Sequence, residues 1–175
     1  YKYSFKVTED VLSPRPDTEI LVEAAAEIIF RENCKKIMDM GVGSGCIILS
    51  LLADFPFLEG VGIDASAKAL KVAQENAARL GVNNRLKLYE KSWFDTDLIN
   101  KAGQNFDLIT SNPPYIASEE IPQLSTEVKA HDPLMALDGG ADGYDHYRQI
   151  ATVAPSLLKE NGYILLEGGQ NQDKE

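Results

Sequence analysis

Four consecutive residues, Asn112-Pro113-Pro114-Tyr115, carry the most specific chemistry in this sequence. A residue that precedes proline is driven out of the helical region into an extended conformation, and here that restriction acts on both Asn112 and Pro113. Each proline also fixes its own φ near about −65°. The Asn112 side-chain oxygen and the Pro113 carbonyl are therefore aimed by covalent geometry, and they suit the two N–H bonds of one –NH₂ group. Tyr115 can stack on the flat face of such a group. An amide or aromatic amine nitrogen is a poor nucleophile, because its lone pair is delocalised. Holding both N–H bonds polarises that nitrogen and fixes its direction of attack, so positioning and preorganised dipoles would carry the rate. No Ser-His-Asp set or reactive cysteine is evident, and this chemistry needs none. Taken alone, the stretch also reads as a proline turn beside a packed tyrosine.

A second constellation is DMGVGSG at 39–45, which runs from an apolar strand into a helix. Gly41, Gly43 and Gly45, with Val42 and Ser44 between them, let the backbone turn tightly and let a ligand approach without a Cβ in the way. A dinucleotide fingerprint would place its third glycine at position 46, where this chain has Cys46. The G-x-G-x-G spacing counts against a nicotinamide dehydrogenase. Asp64 closes the next predicted strand, where a carboxylate can accept both ribose hydroxyls of an adenosine ligand. A tight strand-to-helix turn with a helix-capping Asp is the competing reading of the same residues.

These groups are positioned by alternating short apolar runs and amphipathic stretches. Residues 35–40, 60–64, 85–89, 106–111 and 162–167 read as strands. Residues 44–55 read as a helix packed on a sheet. Residues 66–81 read as a second, with Leu70, Ala73, Ala77 and Leu80 on one face, Ser66 as cap and Gly81 at the stop. A third spans about 18–30, after breaks at Pro14 and Pro16, with Asp17 or Thr18 as its cap. A fourth lies within 143–158, kinked or shortened by Pro155. Strands alternating with helices predict an α/β doubly wound, mostly parallel sheet of order 3-2-1-4-5, with ligand chemistry at the carboxyl ends of its strands.

Composition narrows the partners. The 175 residues carry 17 basic and 27 acidic side chains, for a net charge of −10, which weighs against non-specific nucleic-acid binding. No apolar run approaches the ~18 residues of a membrane span, and no leader-like segment opens the sequence, so a cytoplasmic location is expected. Cys34 and Cys46 form neither a disulfide framework nor a CxxC pair and read as buried free thiols. His131 and His146 have no partners at zinc spacing, so no metal is assigned.

NPPY after the fourth strand resembles N-methyltransferases that act on planar nitrogens. Together with VLSPRPDTEILVE (11–23), DMGVGSG, GIDAS, SWFD (92–95), TSNPPYI and DPLMALDGGADGYDHYR (132–148), it is similar to the HemK/PrmC family. These are class I S-adenosylmethionine-dependent, Rossmann-like enzymes that methylate the GGQ glutamine N5 of class I peptide-chain release factors. The resemblance spans nearly the whole chain. It implies that Gly41 to Gly45 line S-adenosylmethionine (S-adenosylhomocysteine after transfer), that Asp64 holds its ribose and that Trp93 flanks its adenine. It further implies that Asn112, Pro113, Pro114 and Tyr115 receive the glutamine, with Asn112, Pro113 and Tyr115 catalytic and Asn112 also touching the cofactor. It brings Arg15, Asp17 and Glu19 near the site without giving each a role, and LDGGADG reads equally as a plain glycine-rich turn. Family members usually add an N-terminal helical domain and an antiparallel strand pair after strand five. Residues 1–175 are therefore expected to be one catalytic domain, truncated after strand five. An N6-adenine methyltransferase acting on RNA or DNA shares the NPPY corner and is the alternative. A cofactor-binding module without catalysis is disfavoured by the intact corner.

Overall fold

The computed structural model describes residues 2–125, 128, 132–169 and 172; His131 lies outside the described residues. Five strands form one parallel sheet in the order β3-β2-β1-β4-β5. They are β1 (Lys36–Met40), β2 (Glu59–Asp64), β3 (Leu86–Glu90), β4 (Phe106–Ser111) and β5 (Leu158–Leu166). The order reverses direction between β1 and β4, so the loops that follow these two strands part there and leave a crevice. The glycine loop follows β1 and the proline corner follows β4.

Alternation along the central strands divides the core. Ile37 and Leu108 join one apolar layer with α1 (Pro16–Glu32), α2 (Cys46–Asp54) and α3 (Ala67–Leu80). Met38, Met40 and Ile109 face the opposite layer, built with α4 (Leu98–Ala102) and α5 (Asp145–Leu157). Both faces of the sheet are thus covered, as parallel strands require. No helix among the described residues is long and apolar enough to cross a membrane.

Four local expectations shift. Pro16 is not a break before α1 but stands in its first turn, where its missing N–H costs nothing. Neither Asp17 nor Thr18 caps that helix; Arg15 occupies the cap position without a side-chain capping bond, and Thr18 is used elsewhere. The buried face of α3 is Ala69, Val72, Ala73, Asn76 and Ala77, with Leu70 and Leu80 at its half-buried flanks. Its ends are as expected: the Ser66 hydroxyl accepts from the Ala69 N–H at 3.2 Å, and Gly81 closes it in a left-handed conformation. Finally, Pro155 sits inside α5 without a halt until Leu157, and β5 starts at Leu158 rather than 162. A register shift against Phe106–Leu108 and a left-handed Asn161 accommodate that early start.

Candidate active site

The glycine loop is held from outside. Gly41 and Val42 donate to the Ile63 carbonyl at 2.9 and 3.0 Å, and Gly43 donates to Asp64 Oδ2 at 2.9 Å. The other Asp64 oxygen accepts the Ser66 N–H at 2.9 Å. Burial raises the Asp64 pKa, and these two N–H groups pull it back. The Ser44 carbonyl accepts from Asn76 Nδ2 at 2.9 Å, and the same Asn76 side chain clasps the Lys6 backbone. Sequence reasoning missed Asn76; its signal is an amide standing on the apolar face of an amphipathic helix. Gly43 and Gly45 both have positive φ, but for different purposes. A Cβ on Gly43 would point into open space, whereas one on Gly45 would come within 2.6 Å of Leu49 Cδ1.

A cavity of about 460 Å³ lies above this loop. Gly41, Val42, Gly43, Ser44, Asp64, Trp93, Asn112 and Pro114 all line it. Gly45, expected with them, does not; it lies beneath, against α2 and Ala73. Phe94 and His146 also line the cavity and were not anticipated as site residues. Trp93 Nε1–H donates to His146 Nδ1 at 3.2 Å, and His146 Nε2 meets the Asp138 carbonyl at 3.0 Å. A carbonyl only accepts, so Nε2 carries the imidazole proton and leaves Nδ1 free to accept. The two rings meet edge to face, 5.3 Å between centroids, and the indole lies beside Gly41.

A second cavity of about 340 Å³ opens on the far side of Asn112, lined by Arg15, Asp17 and Tyr115 among others. Asn112 lines both cavities, Pro113 is buried behind it, and Pro114 faces the first. The corner is then clamped to LDGGADG: Ile116 N–H donates to Leu137 O at 3.1 Å, and Gly139 N–H to Ile116 O at 2.7 Å. A Cβ on Gly139 would lie 2.8 Å from the Tyr115 backbone. That stretch is therefore more than a turn: its glycine admits the corner's own main chain. Upstream, the Arg15 guanidinium pairs with buried Asp132, which also accepts the Ser13 N–H at 3.3 Å. Arg15 thereby ties the start of α1 to the segment carrying Met135, which lines the first cavity.

Two buried carboxylates sit under the site. Asp39 is fully buried and takes the Thr110 hydroxyl on Oδ1 at 2.8 Å, while Oδ2 has no partner among the described residues. Burial pushes its pKa up to about 7, against the pull of Thr110. Glu167, just beyond β5, accepts the Thr18 hydroxyl at 2.8 Å. Burial raises its pKa too, while Thr18 and the Asn112 side chain hold it down. Cys34 and Cys46 are free thiols; Cys34 is buried, whereas Cys46 is only partly so and borders the cavity. The surrounding protein still pushes the Cys46 thiol up to about 11. Among the described residues, no cluster of three His, Cys, Asp or Glu side chains is gathered as for a metal.

A family profile described as a methyltransferase domain matches residues 31–174. The chain belongs to the methyltransferase family. Among curated methyltransferases, the release factor glutamine methyltransferase of Caulobacter vibrioides is 42% identical over 174 residues, 99% of this chain and 59% of that protein. The protein of the same name from Bradyrhizobium diazoefficiens is 48% identical, covering 96% of this chain and 56% of its own length. The chain thus spans a little over half of these relatives. Among solved methyltransferase structures, the hMettl16 catalytic domain in complex with MAT2A 3′UTR hairpin 6 superposes with a TM-score of 0.71 at 14% identity, over 96% of this chain and 62% of that one. At that identity the likeness is one of fold, and the fold is that of class I methyltransferases.

Proposed function

We propose that this chain is the catalytic domain of a protein-glutamine N5-methyltransferase, residues 1–175 supplying the cofactor and acceptor sites for a class I peptide-chain release factor. The observation that carries this reading is the position of Asn112, whose polar side chain, with apolar Leu12 and Ala136, lines both the glycine-loop cavity and the Tyr115 cavity. The first cavity suits S-adenosylmethionine: it offers a carboxylate at a strand end, an indole wall and a loop position where a Cβ would occupy open space. Gly41, Val42, Gly43 and Ser44 would hold it with Asp64 and Trp93, while Gly45 would set the turn from below. Bound there, S-adenosylmethionine supplies an electrophilic methyl group. The corner's task is to keep the acceptor nitrogen in line. Asn112 Oδ1 and the Pro113 carbonyl accept its two N–H bonds, and Tyr115 packs on its face. The curated relatives carry the choice of a release factor over other amide bearers. A release-factor substrate also places the reaction in the cytoplasm, and the net charge of −10 argues against a nucleic-acid substrate.

The test supplies S-adenosylmethionine labelled in its methyl group to the full-length protein with release factor, with release factor whose GGQ glutamine is replaced, and with bulk RNA. Label is expected only in the first. Label in RNA alone would favour the adenine N6 alternative and overturn the protein reading.

A further inference from the structure

We infer that Glu167 sets the direction of the Asn112 carboxamide, and so makes the corner select an acceptor that donates N–H bonds. This rests on the reading of Asn112 given above. Ser111 and Leu166 are paired in the parallel β4–β5 ladder, and Glu167 N–H donates to the Ser111 carbonyl at 3.0 Å. Asn112 and Glu167 are thus the next residues on neighbouring strands and leave the sheet side by side. The Glu167 main chain is pinned again by the Tyr147 hydroxyl, which donates to its carbonyl at 2.8 Å. The residue is 8% exposed, and its side chain is pinned by the Thr18 hydroxyl, 149 positions earlier in the chain. Against burial, which raises the Glu167 pKa, the Asn112 side chain next to it favours the charged form.

Chemistry then dictates the outcome. A carboxylate offers only acceptors, whereas a carboxamide has a donor end and an acceptor end. Facing Glu167, Asn112 must turn its NH₂ inward, which leaves Oδ1 toward the junction of the cavities. An acceptor presented there takes an N–H from an amide and repels a carboxylate, so the site discriminates glutamine from glutamate. Only an ionised Glu167 does this, since a protonated one can donate to Oδ1 and let the amide rotate. The titratable groups around it are Asp17 on α1, Cys46 at the start of α2, Tyr115 in the corner and Tyr147 on α5. Asp17 is the other carboxylate of this set. Burial and Asp17 raise the Glu167 pKa, so as pH falls the loss of direction sets in earlier than it would for an exposed glutamate. Glu167 is a positioning residue, acting through Asn112.

The test is single-turnover methylation of a release factor by the full-length protein, from neutral into acid pH, alongside S-adenosylmethionine affinity. E167Q is expected to slow transfer by roughly 10–100-fold, the scale of a misaligned reacting group, with cofactor affinity within a few-fold of wild type. It should also abolish the acid fall in rate. T18V removes the donor that favours the charged carboxylate and should move that acid fall to higher pH. An E167Q variant at wild-type rate, or one that is slow with its acid limb intact, overturns the assignment. Should E167Q not fold, T18V decides, and an unmoved acid limb overturns it. A wild type inactive on release factor overturns the functional reading and this inference together, whereas an active wild type with either variant result above overturns the inference alone.

Discussion

The two loops that meet at the crevice reach rigidity by opposite routes. The glycine loop after β1 has little stiffness of its own, and it is held by a carbonyl of β2, the Asp64 carboxylate and the Asn76 amide. The corner after β4 has its stiffness written into two prolines, and its neighbours adapt to it, down to the glycine at 139. A loop held by distant side chains can be loosened by changing any of them, and each loss reaches the fold as well as the ligand. A corner held by its own covalent geometry confines a side-chain change to the chemistry.

That contrast can be broken or sharpened by mutation. The largest effect is expected at Asn112. Replacing it with Ala should depress methyl transfer roughly 10²–10³-fold, the range for one oriented polar group, while thermal stability and cofactor affinity stay near wild type. Single-turnover rates and a melting curve check both halves, and a wild-type rate would sink the corner mechanism.

Asp64→Ala comes next. Cofactor binding should weaken by about 1.5–3 kcal/mol, as for hydrogen bonds to a charged group. Unlike the Asn112 change, it should also lower Tm, because Gly43 and Ser66 lose their acceptor. Calorimetry and thermal melts separate the two losses.

Asp39 gives a pH test of the support beneath the loop. Its folded pKa of about 7 lies above the ordinary carboxylate value, so between the two the folded state keeps a proton that the unfolded chain has released. Stability should therefore fall as pH rises through that window, by up to about 1.4 kcal/mol per pH unit. Asp39→Asn should flatten the dependence, and melts across the window report it. The smallest effect is reserved for Pro113→Ala, which keeps the carbonyl and relaxes only the chain. A stability change of about 0.4–1 kcal/mol and a mild fall in rate are expected, and a loss as large as that of Asn112→Ala would refute covalent stiffness as a minor contributor.

What the sequence made legible was local. The strand-end Asp64, the glycine spacing and the caps Ser66 and Gly81 follow from patterns within a few residues of each other, and the strand order from the alternation of such stretches along the chain. What it hid depends on contacts between distant segments. Thr18 reads as a helix cap until Glu167 arrives to claim its hydroxyl. Leu70 and Leu80 look like the inner face of α3 because nothing local shows that Asn76 has carbonyls to satisfy inside. His146 looks like a spare histidine because its partners, Trp93 and the Asp138 carbonyl, belong to other loops. Glu167 did leave a trace: like Asp64, it is an acid at the carboxyl end of an apolar strand-like run.

Trp93 is the single tryptophan in the chain, and its indole N–H is bonded to an imidazole that in turn rests on the segment bridged to the corner. The molecule thus contains its own optical probe. Every tryptophan photon it emits comes from the wall of the candidate cofactor cavity. Occupation of that cavity should alter the emission spectrum, and a displaced corner should alter it again through His146. The two halves of the site can therefore be followed in one unlabelled sample.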